Sequence, residues 1–384
     1  MRALPVPSGV AALSVLADLR RALDGSGPAL APHGLNTAPP PIPDDVGDLP
    51  PGLALTIGTS GSTGRPKLAM LTSAALRASA DATHERLGGQ GQWLLTMPAH
   101  HIAGIQVLVR SLVAHTKPVS MDLAGGFTGE SFARATRQID SDAIAYTALV
   151  PTQLSRLLAS PDGRQSLARY DTVLLGGAAA AAGLLAKARD VGVRVVTTYG
   201  MSETAGGCVY DGRALDVSLV HLEADGRIRL GGATLAQGYL GDPVLSATAF
   251  VTDDANRRWF RTDDAGHLDE GALVVDGRLD DLINTGGLKV VPRLIEAALT
   301  QLDAVAEAVV VGSPDPEWGQ VVSAAIVVAQ GTSPPTLDDL RGRLRGVLPD
   351  HALPRRLATL TELPVRGPGK PDRAAVRRLF DDCR

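Results

Sequence analysis

The sequence predicts an α/β protein built as two bodies: a large N-terminal domain of helix-covered β-sheets that also holds a small antiparallel β region, and a small α+β domain at the C-terminus. Three observations predict it. Between residues 53 and 198, short β-type runs alternate with Ala/Leu/Arg-rich helical stretches, the pattern of a sheet covered by helices. After about residue 210 the strands shorten and carry Gly, Asp and Arg at their turns, which reads as antiparallel structure. From residue 280 onwards helices and strands mix in a third pattern, so the boundary is placed between domains 1–279 and 280–384.

Taken in order, 10–23 reads as an amphipathic helix, because Asp18, Arg20 and Arg21 interrupt its apolar residues. The proline-rich run 36–52 (NTAPPPIPDDVGDLPPG) reads as a connection, since proline suits neither a helix interior nor a central strand. Regular structure then resumes with strand–helix pairs at 53–57 and 73–87, 93–97 and 102–113, 143–149 and 152–160, 172–175 and 180–191, and a strand at 193–198. Antiparallel strands are expected at 218–223, 226–230, 268–270 and 272–276. The C-terminal domain reads as helix 292–301, strands 305–312 and 321–328, helix 336–347, strand 356–360 and helix 373–380.

Of the 384 residues 45% are hydrophobic, with 42 Gly and 26 Pro, which suits a loop-rich globular protein and argues against disorder. Lys plus Arg (37) nearly cancel Asp plus Glu (41), and the net charge of -4 gives no field that would gather nucleic acid. An anionic ligand must therefore be held by a local site. Cys208 and Cys383 are too few for a disulfide framework and lack zinc spacing, which fits a reducing cytoplasm. No apolar run is long enough to span a membrane.

The most informative stretch is Thr59-Ser60-Gly61-Ser62-Thr63-Gly64-Arg65-Pro66-Lys67, directly after an apolar strand. Glycines let backbone amides approach an anion, hydroxyls add donors and Lys67 adds a point charge, a set suited to a triphosphate. It is not a Walker loop, since Pro66 precedes the lysine and no Ser or Thr follows it; a solvated Ser/Gly turn is the plainer alternative. A second cluster, 197–204 (TTYGMSET), follows a β run and so sits where ligands gather in open α/β sheets. There Glu203 has the chemistry to hold Mg²⁺ and Tyr199 to cover a base, or the segment is a helix start capped by Ser202. Weaker by themselves are Asp263 and Arg278, suited to ribose hydroxyls or to a surface ion pair, and Gly176-Gly177-Ala178, a bare backbone for a flat base or a tight turn. Lys370, framed by Gly and Pro ahead of a helix, is either solvated or a charge carried to an oxyanion.

Together and in this order, these segments resemble the adenylate-forming superfamily of acyl-CoA synthetases, peptide-synthetase adenylation domains and firefly luciferase, over 53–378. The resemblance implies ATP, Mg²⁺ and coenzyme A as cofactors and substrates and a small aromatic carboxylic acid as the molecule activated. It implies that Thr59, Ser60, Gly61, Ser62, Thr63, Gly64 and Lys67 hold the ATP phosphates. Gly176, Gly177, Ala178, Tyr199 and Gly200 would form the adenine site, Thr204 a phosphate ligand and Glu203 the metal ligand. Asp263 and Arg278 match the ribose pair, Asp280 the hinge of a mobile lid, and Gly286 and Gly287 the pantetheine tunnel. Lys370 takes the place of the lysine that bridges carboxylate and α-phosphate. The chain departs from the family in its short start, because the phosphate loop begins near residue 59, and in Leu288 after the two glycines.

Residues 199–212 and the Pro98-Ala99-His100-His101-Ile102-Ala103-Gly104 segment look like the branch that activates aromatic dicarboxylates of the o-succinylbenzoate type, in its short actinobacterial form. His101 is then expected to serve a second carboxylate, or else to lead a helix. Another aryl or short acyl acid, or a catalytically silent nucleotide-binding homologue, are the other readings. A homodimer is compatible with all of them.

Overall fold

A computed structural model describes residues 1–42, 49–59, 67–366 and 370–381. Among these residues the chain makes four sheets and a short hairpin. The first sheet runs β1 (Arg2–Val6), β2 (Leu30–Gly34), β3 (Leu53–Thr59) and β4 (Lys67–Thr72), parallel up to β3 and antiparallel thereafter. β1 and β2 lie outside the expected elements: Pro5 and Pro32 count against strands in isolation, and tertiary pairing prevails. The expected helix 10–23 is divided into a 3₁₀ segment, Gly9–Val15, and helix α1, Leu16–Leu23.

The second sheet is the doubly covered one. Its path, β11-β10-β9-β8-β7-β5-β6, joins β5 (Gln92–Leu95), β6 (Val119–Ser120), β7 (Ala145–Leu149), β8 (Thr172–Leu175), β9 (Val195–Met201), β10 (Gly206–Tyr210) and β11 (Arg213–Ala214). β5 to β9 pair in parallel, and every residue of β7 and β8 is buried, as expected for strands covered on both faces. The covering helices include α2 (Ser73–Leu87) and α3 (Ile102–Val113), both with the bounds read from sequence. Thr72 caps α2 through Ala75 N at 3.2 Å. Helix α4 (Gly129–Thr136) was not anticipated; α5 (Pro151–Ala159), α6 (Pro161–Leu167) and α7 (Ala182–Asp190) complete the layer.

The third sheet is antiparallel and contains β12 (Ser218–Leu222), β13 (Arg227–Gly232), β14 (Phe250–Thr252), β15 (Arg258–Asp269) and β16 (Ala272–Arg278), with α8 (Pro243–Ala249) leading into β14. After it the chain builds a sheet with a core of its own, from Ile283 to Leu353. This sheet holds β17 (Ile283–Thr285), β18 (Leu288–Val290), β19 (Val305–Asp315), β20 (Gly319–Val328) and β21 (Arg356–Leu360), packed by α9 (Pro292–Thr300) and α10 (Leu337–Leu344). Gly286 and Gly287, with φ of 58° and 82°, form the two-residue turn between β17 and β18, a turn that needs left-handed backbone at both positions. β22 (Val365–Arg366) and β23 (Lys370–Pro371) form a hairpin ahead of α11 (Arg373–Asp381).

Candidate active site

The carboxyl end of β9 carries the candidate site. β9 runs to Met201, three residues beyond the strand end expected at 198, and a single 3₁₀ turn, Ser202–Thr204, follows in place of a helix. β10 then returns antiparallel beside β9. The return is tight: a Cβ on Gly200 would stand 2.2 Å from the Gly206 carbonyl oxygen, so only glycine fits there. Ala205, between turn and strand, takes a left-handed φ of 51°. The turn is locked internally, since Thr204 Oγ1 donates to Gly206 O (2.7 Å) and accepts from Met201 N (3.0 Å). A phosphate oxygen at Thr204 would have to displace one of these bonds.

Glu203 is buried, 6% exposed, and its Oε1 accepts from Tyr239 Oη at 2.8 Å. Tyr239 reaches it because segment 237–240 hydrogen-bonds along β4, through Gln237 N to Met70 O and Leu240 N to Leu68 O. The same zipper sets Lys67 Nζ 5.5 Å from the centre of the Tyr239 ring. Burial raises the Glu203 pKa, while the Tyr239 hydrogen bond and the Lys67 charge oppose that rise. Thr59 and Lys67 are paired across β3 and β4. Ser60, Gly61, Ser62, Thr63 and Gly64 lie outside the described residues, and so does the Lys370 side chain.

Across the site, Tyr199 Oη donates to Asp264 Oδ2 at 2.7 Å. Asp264 was passed over in the sequence in favour of its neighbour. Strand alternation separates the two: Asp264 is half-buried, with its pKa raised first by burial, and faces Tyr199, while Asp263 is exposed and lies 3.4 Å from Arg278 Nη2. Arg278 also grips Asp280 through two bonds of 2.8 Å, which raises the Arg278 pKa and lowers that of Asp280. Gly176, Gly177 and Ala178 leave the carboxyl end of β8, the neighbour of β9. Gly286 and Gly287 stand apart from this cluster, in the turn of the last sheet.

His101 occupies the N-cap position of α3, with its ring centre 4.2 Å from that of His100. Burial and then the neighbouring imidazoles of His101 and His33 bring His100 down to about 4. Deeper along α3, Gln106 Nε2 donates to Ala205 O at 2.6 Å, joined by Ser79 Oγ at 3.1 Å. One turn further, Arg110 is 4% exposed, its guanidinium 4.9 Å above the Trp93 ring and its Nη2 3.4 Å from Tyr210 Oη. No carboxylate pairs with Arg110 among the described residues, and burial lowers its pKa. Four buried side-chain polar atoms lack a hydrogen-bond partner among the described residues, and three of them are here: His84 Nδ1, Gln106 Oε1 and Arg110 Nε. The sequence carried a signal for two of these, because Gln106 and Arg110 are polar residues four apart, hence on one face, of a helix that is apolar apart from them and Ser111.

Comparison with known proteins gives the family. Residues 22–278 match the AMP-binding enzyme family and 294–370 match the AMP-binding enzyme C-terminal domain. A probable 2-succinylbenzoate–CoA ligase of Mycobacterium tuberculosis is 47% identical, over 99% of this chain and 98% of the relative. Among solved structures, an amide bond synthetase from Marinactinospora thermotolerans is 27% identical, with a TM-score of 0.78 over 99% of this chain and 80% of its own. An o-succinylbenzoate CoA synthetase from Bacillus subtilis, in complex with its acyl-adenylate intermediate, shares the fold at a TM-score of 0.73 and 24% identity, over 100% of this chain and 88% of its own. With its family matches on both sides of Asp280 and a near full-length relative, the chain belongs to the AMP-binding enzymes.

Proposed function

We propose that the protein is an ATP-dependent carboxylate-CoA ligase of menaquinone biosynthesis whose acid is o-succinylbenzoate, an aromatic keto acid with two carboxylates. The observation that carries the substrate is Arg110, a buried guanidinium without a counterion on the helix that lines the Ala205 turn. A buried charge stripped of its partner costs about 3–5 kcal/mol. The cost is recovered when an anion enters, and a diacid brings one carboxylate for Arg110 and another for the chemistry. The 2-succinylbenzoate–CoA ligase activity named for the 47% identical relative supports the same acid.

In the first half-reaction one carboxylate oxygen of the acid attacks the α-phosphorus of ATP; the new O–P bond displaces diphosphate and leaves the acyl-AMP. Thr59, Lys67 and the Ser/Gly stretch between them hold the phosphates, with Thr204 at the turn. Tyr199 and the 176–178 backbone cover the adenine, while Asp264 and Arg278 take the ribose, with Asp263 beside them in an exposed ion pair to Arg278. Glu203 fits a magnesium ion: it is a hard oxygen donor whose Oε1 is fixed by Tyr239, leaving Oε2 for a cation. No group of three or more His, Cys, Asp or Glu suited to a metal occurs among the described residues, in keeping with a cation that keeps waters and phosphate oxygens as ligands. When bound, the ion neutralises charge on the phosphates as diphosphate leaves.

Lys370 supplies the matching positive charge to the carboxylate and α-phosphate. In the second half-reaction the CoA thiol attacks the acyl carbonyl and AMP leaves, carrying the anhydride oxygen. We take 280–384 as a lid that turns about Asp280, withdrawing Lys370 and bringing Gly286-Gly287 to the thiol path. His101, at the mouth of α3, lies beside the acid. Diphosphate release measured with o-succinylbenzoate and with benzoylpropionate and butyrylbenzoate, which each lack one carboxylate, tests the assignment. A strong preference for the diacid is expected; equal rates with a mono-acid contradict it.

A further inference from the structure

The closed end of the acid side holds a second unusual group. His84, on α2, is 3% exposed, and its Nε2 lies 3.2 Å from Trp93 Nε1. An indole nitrogen only donates, so Nε2 is the acceptor of this bond and the single imidazole proton sits on Nδ1. Burial, and then the nearby Arg110 charge, bring His84 down to about 4, which keeps the ring neutral near pH 7. The Nδ1–H is therefore a donor, and it is buried with no acceptor among the described residues. Arg110 Nε–H is in the same condition. Both groups border one indole: the guanidinium lies 4.9 Å over the Trp93 ring, and His84 meets its N–H edge with ring centres 6.2 Å apart.

Native interiors leave few polar groups unpaired, and an orphaned donor is costly to keep. Two orphaned donors and a positive charge without a carboxylate partner, gathered around one indole, suit a carboxylate. Thr83 Oγ1, at 2.9 Å from Tyr210 Oη, together with the Arg110–Tyr210 contact, fixes the wall on which the guanidinium rests. Trp93 and Tyr210 both belong to the largest hydrophobic core.

We propose that His84 is a specificity-determining residue whose Nδ1–H, together with the Arg110 guanidinium, receives the substrate carboxylate that is not activated. The inference rests on the diacid reading of the site. A substrate with one carboxylate leaves two buried donors and a charge unpaired, which is the circumstance under which a polar site discriminates strongly.

The test compares native, His84→Met and His84→Gln proteins by diphosphate release with o-succinylbenzoate, benzoylpropionate and butyrylbenzoate. For His84→Met, which has no donor, the ratio of diacid to mono-acid kcat/KM falls by about 10- to 100-fold, the scale of a lost hydrogen bond to a charged group. His84→Gln, which has both a donor and an acceptor, recovers most of that ratio. A loss shared equally by all three acids makes His84 a scaffold residue and overturns the proposal. If His84→Met does not fold, the native protein labelled with ¹⁵N-histidine gives the answer. The His84 Nδ1–H proton moves downfield when the diacid binds and stays in place with either mono-acid; no movement with the diacid overturns the proposal. Native protein that shows no preference for the diacid removes the substrate reading itself, and His84 with it. A native preference that His84→Met leaves unchanged removes His84 alone.

Discussion

The Ser202–Ala205 turn has two sides, and they treat their polar groups differently. On the nucleotide side, Glu203 accepts from Tyr239, Tyr199 donates to Asp264, Thr204 bonds within the turn and Arg278 is shared between Asp263 and Asp280. On the acid side, Arg110, His84 and Gln106 each leave a buried atom unpaired. On the proposed reading, the nucleotide site is held ready by the protein's own contacts, while the acid site is completed by its ligand. Preorganised groups serve catalysis of a common step; unpaired ones serve the choice of substrate.

The largest effect expected on the nucleotide side belongs to Lys370. Lys370→Ala should slow acyl-AMP formation by two or more orders of magnitude, about 2.7–4 kcal/mol for one lost oxyanion contact. Prepared acyl-adenylate and CoA should still give thioester at nearly the native rate. Damage to both half-reactions would mean that the lysine supports folding of the lid instead.

Asp263 and Asp264 sharpen the comparison next. Asp264→Asn keeps an acceptor for Tyr199 but removes the charge, and should raise the KM for ATP about tenfold or more, as for a lost charge-assisted bond. Asp263→Asn, at an exposed strand position, should change it by no more than about twofold, the scale of an exposed ion pair. Steady-state titration of ATP decides, and the opposite ranking would return the ribose to Asp263 alone.

The smallest effect concerns Tyr239. Tyr239→Phe removes one hydrogen bond from Glu203, about 1 kcal/mol, and should raise the Mg²⁺ concentration for half-maximal rate about fivefold. Circular dichroism should show an unchanged fold. An unaltered Mg²⁺ requirement would separate Tyr239, and the Glu203 oxygen it holds, from the metal.

Much of this was legible in the sequence because period and punctuation carry it. The bounds of α2 and α3 follow from helical stretches that alternate with β-type runs, and the family from the order of the motifs around Thr59, Glu203, Arg278 and Lys370. What escaped depends on pairing at a distance. β1 and β2 are strands because they pair with each other and with β3, against the local preference of Pro5 and Pro32. Tyr239 reaches Glu203 only because segment 237–240 zips onto β4, a contact that no local pattern announces. The choice between Asp263 and Asp264 turns on which face of β15 each occupies, and adjacent aspartates look alike in a sequence. Arg110 was visible as a charge in an apolar helix, but its lack of a counterion is a property of the packed core.

The contrast between the two sides is tested most directly by Arg110→Met, measured twice on the same preparation. Removing an uncompensated buried charge should raise the melting temperature of the ligand-free protein, since replacing buried ionic groups by apolar ones gains about 1–4 kcal/mol. The same change should lower kcat/KM for o-succinylbenzoate by about 10²- to 10³-fold, the scale of a severed buried carboxylate–arginine contact, and erase its advantage over the mono-acids. Gain of stability with loss of selectivity is the predicted result. A variant that melts lower and still prefers the diacid would contradict the account, because Arg110 would then be a structural cation and the second carboxylate would be read elsewhere.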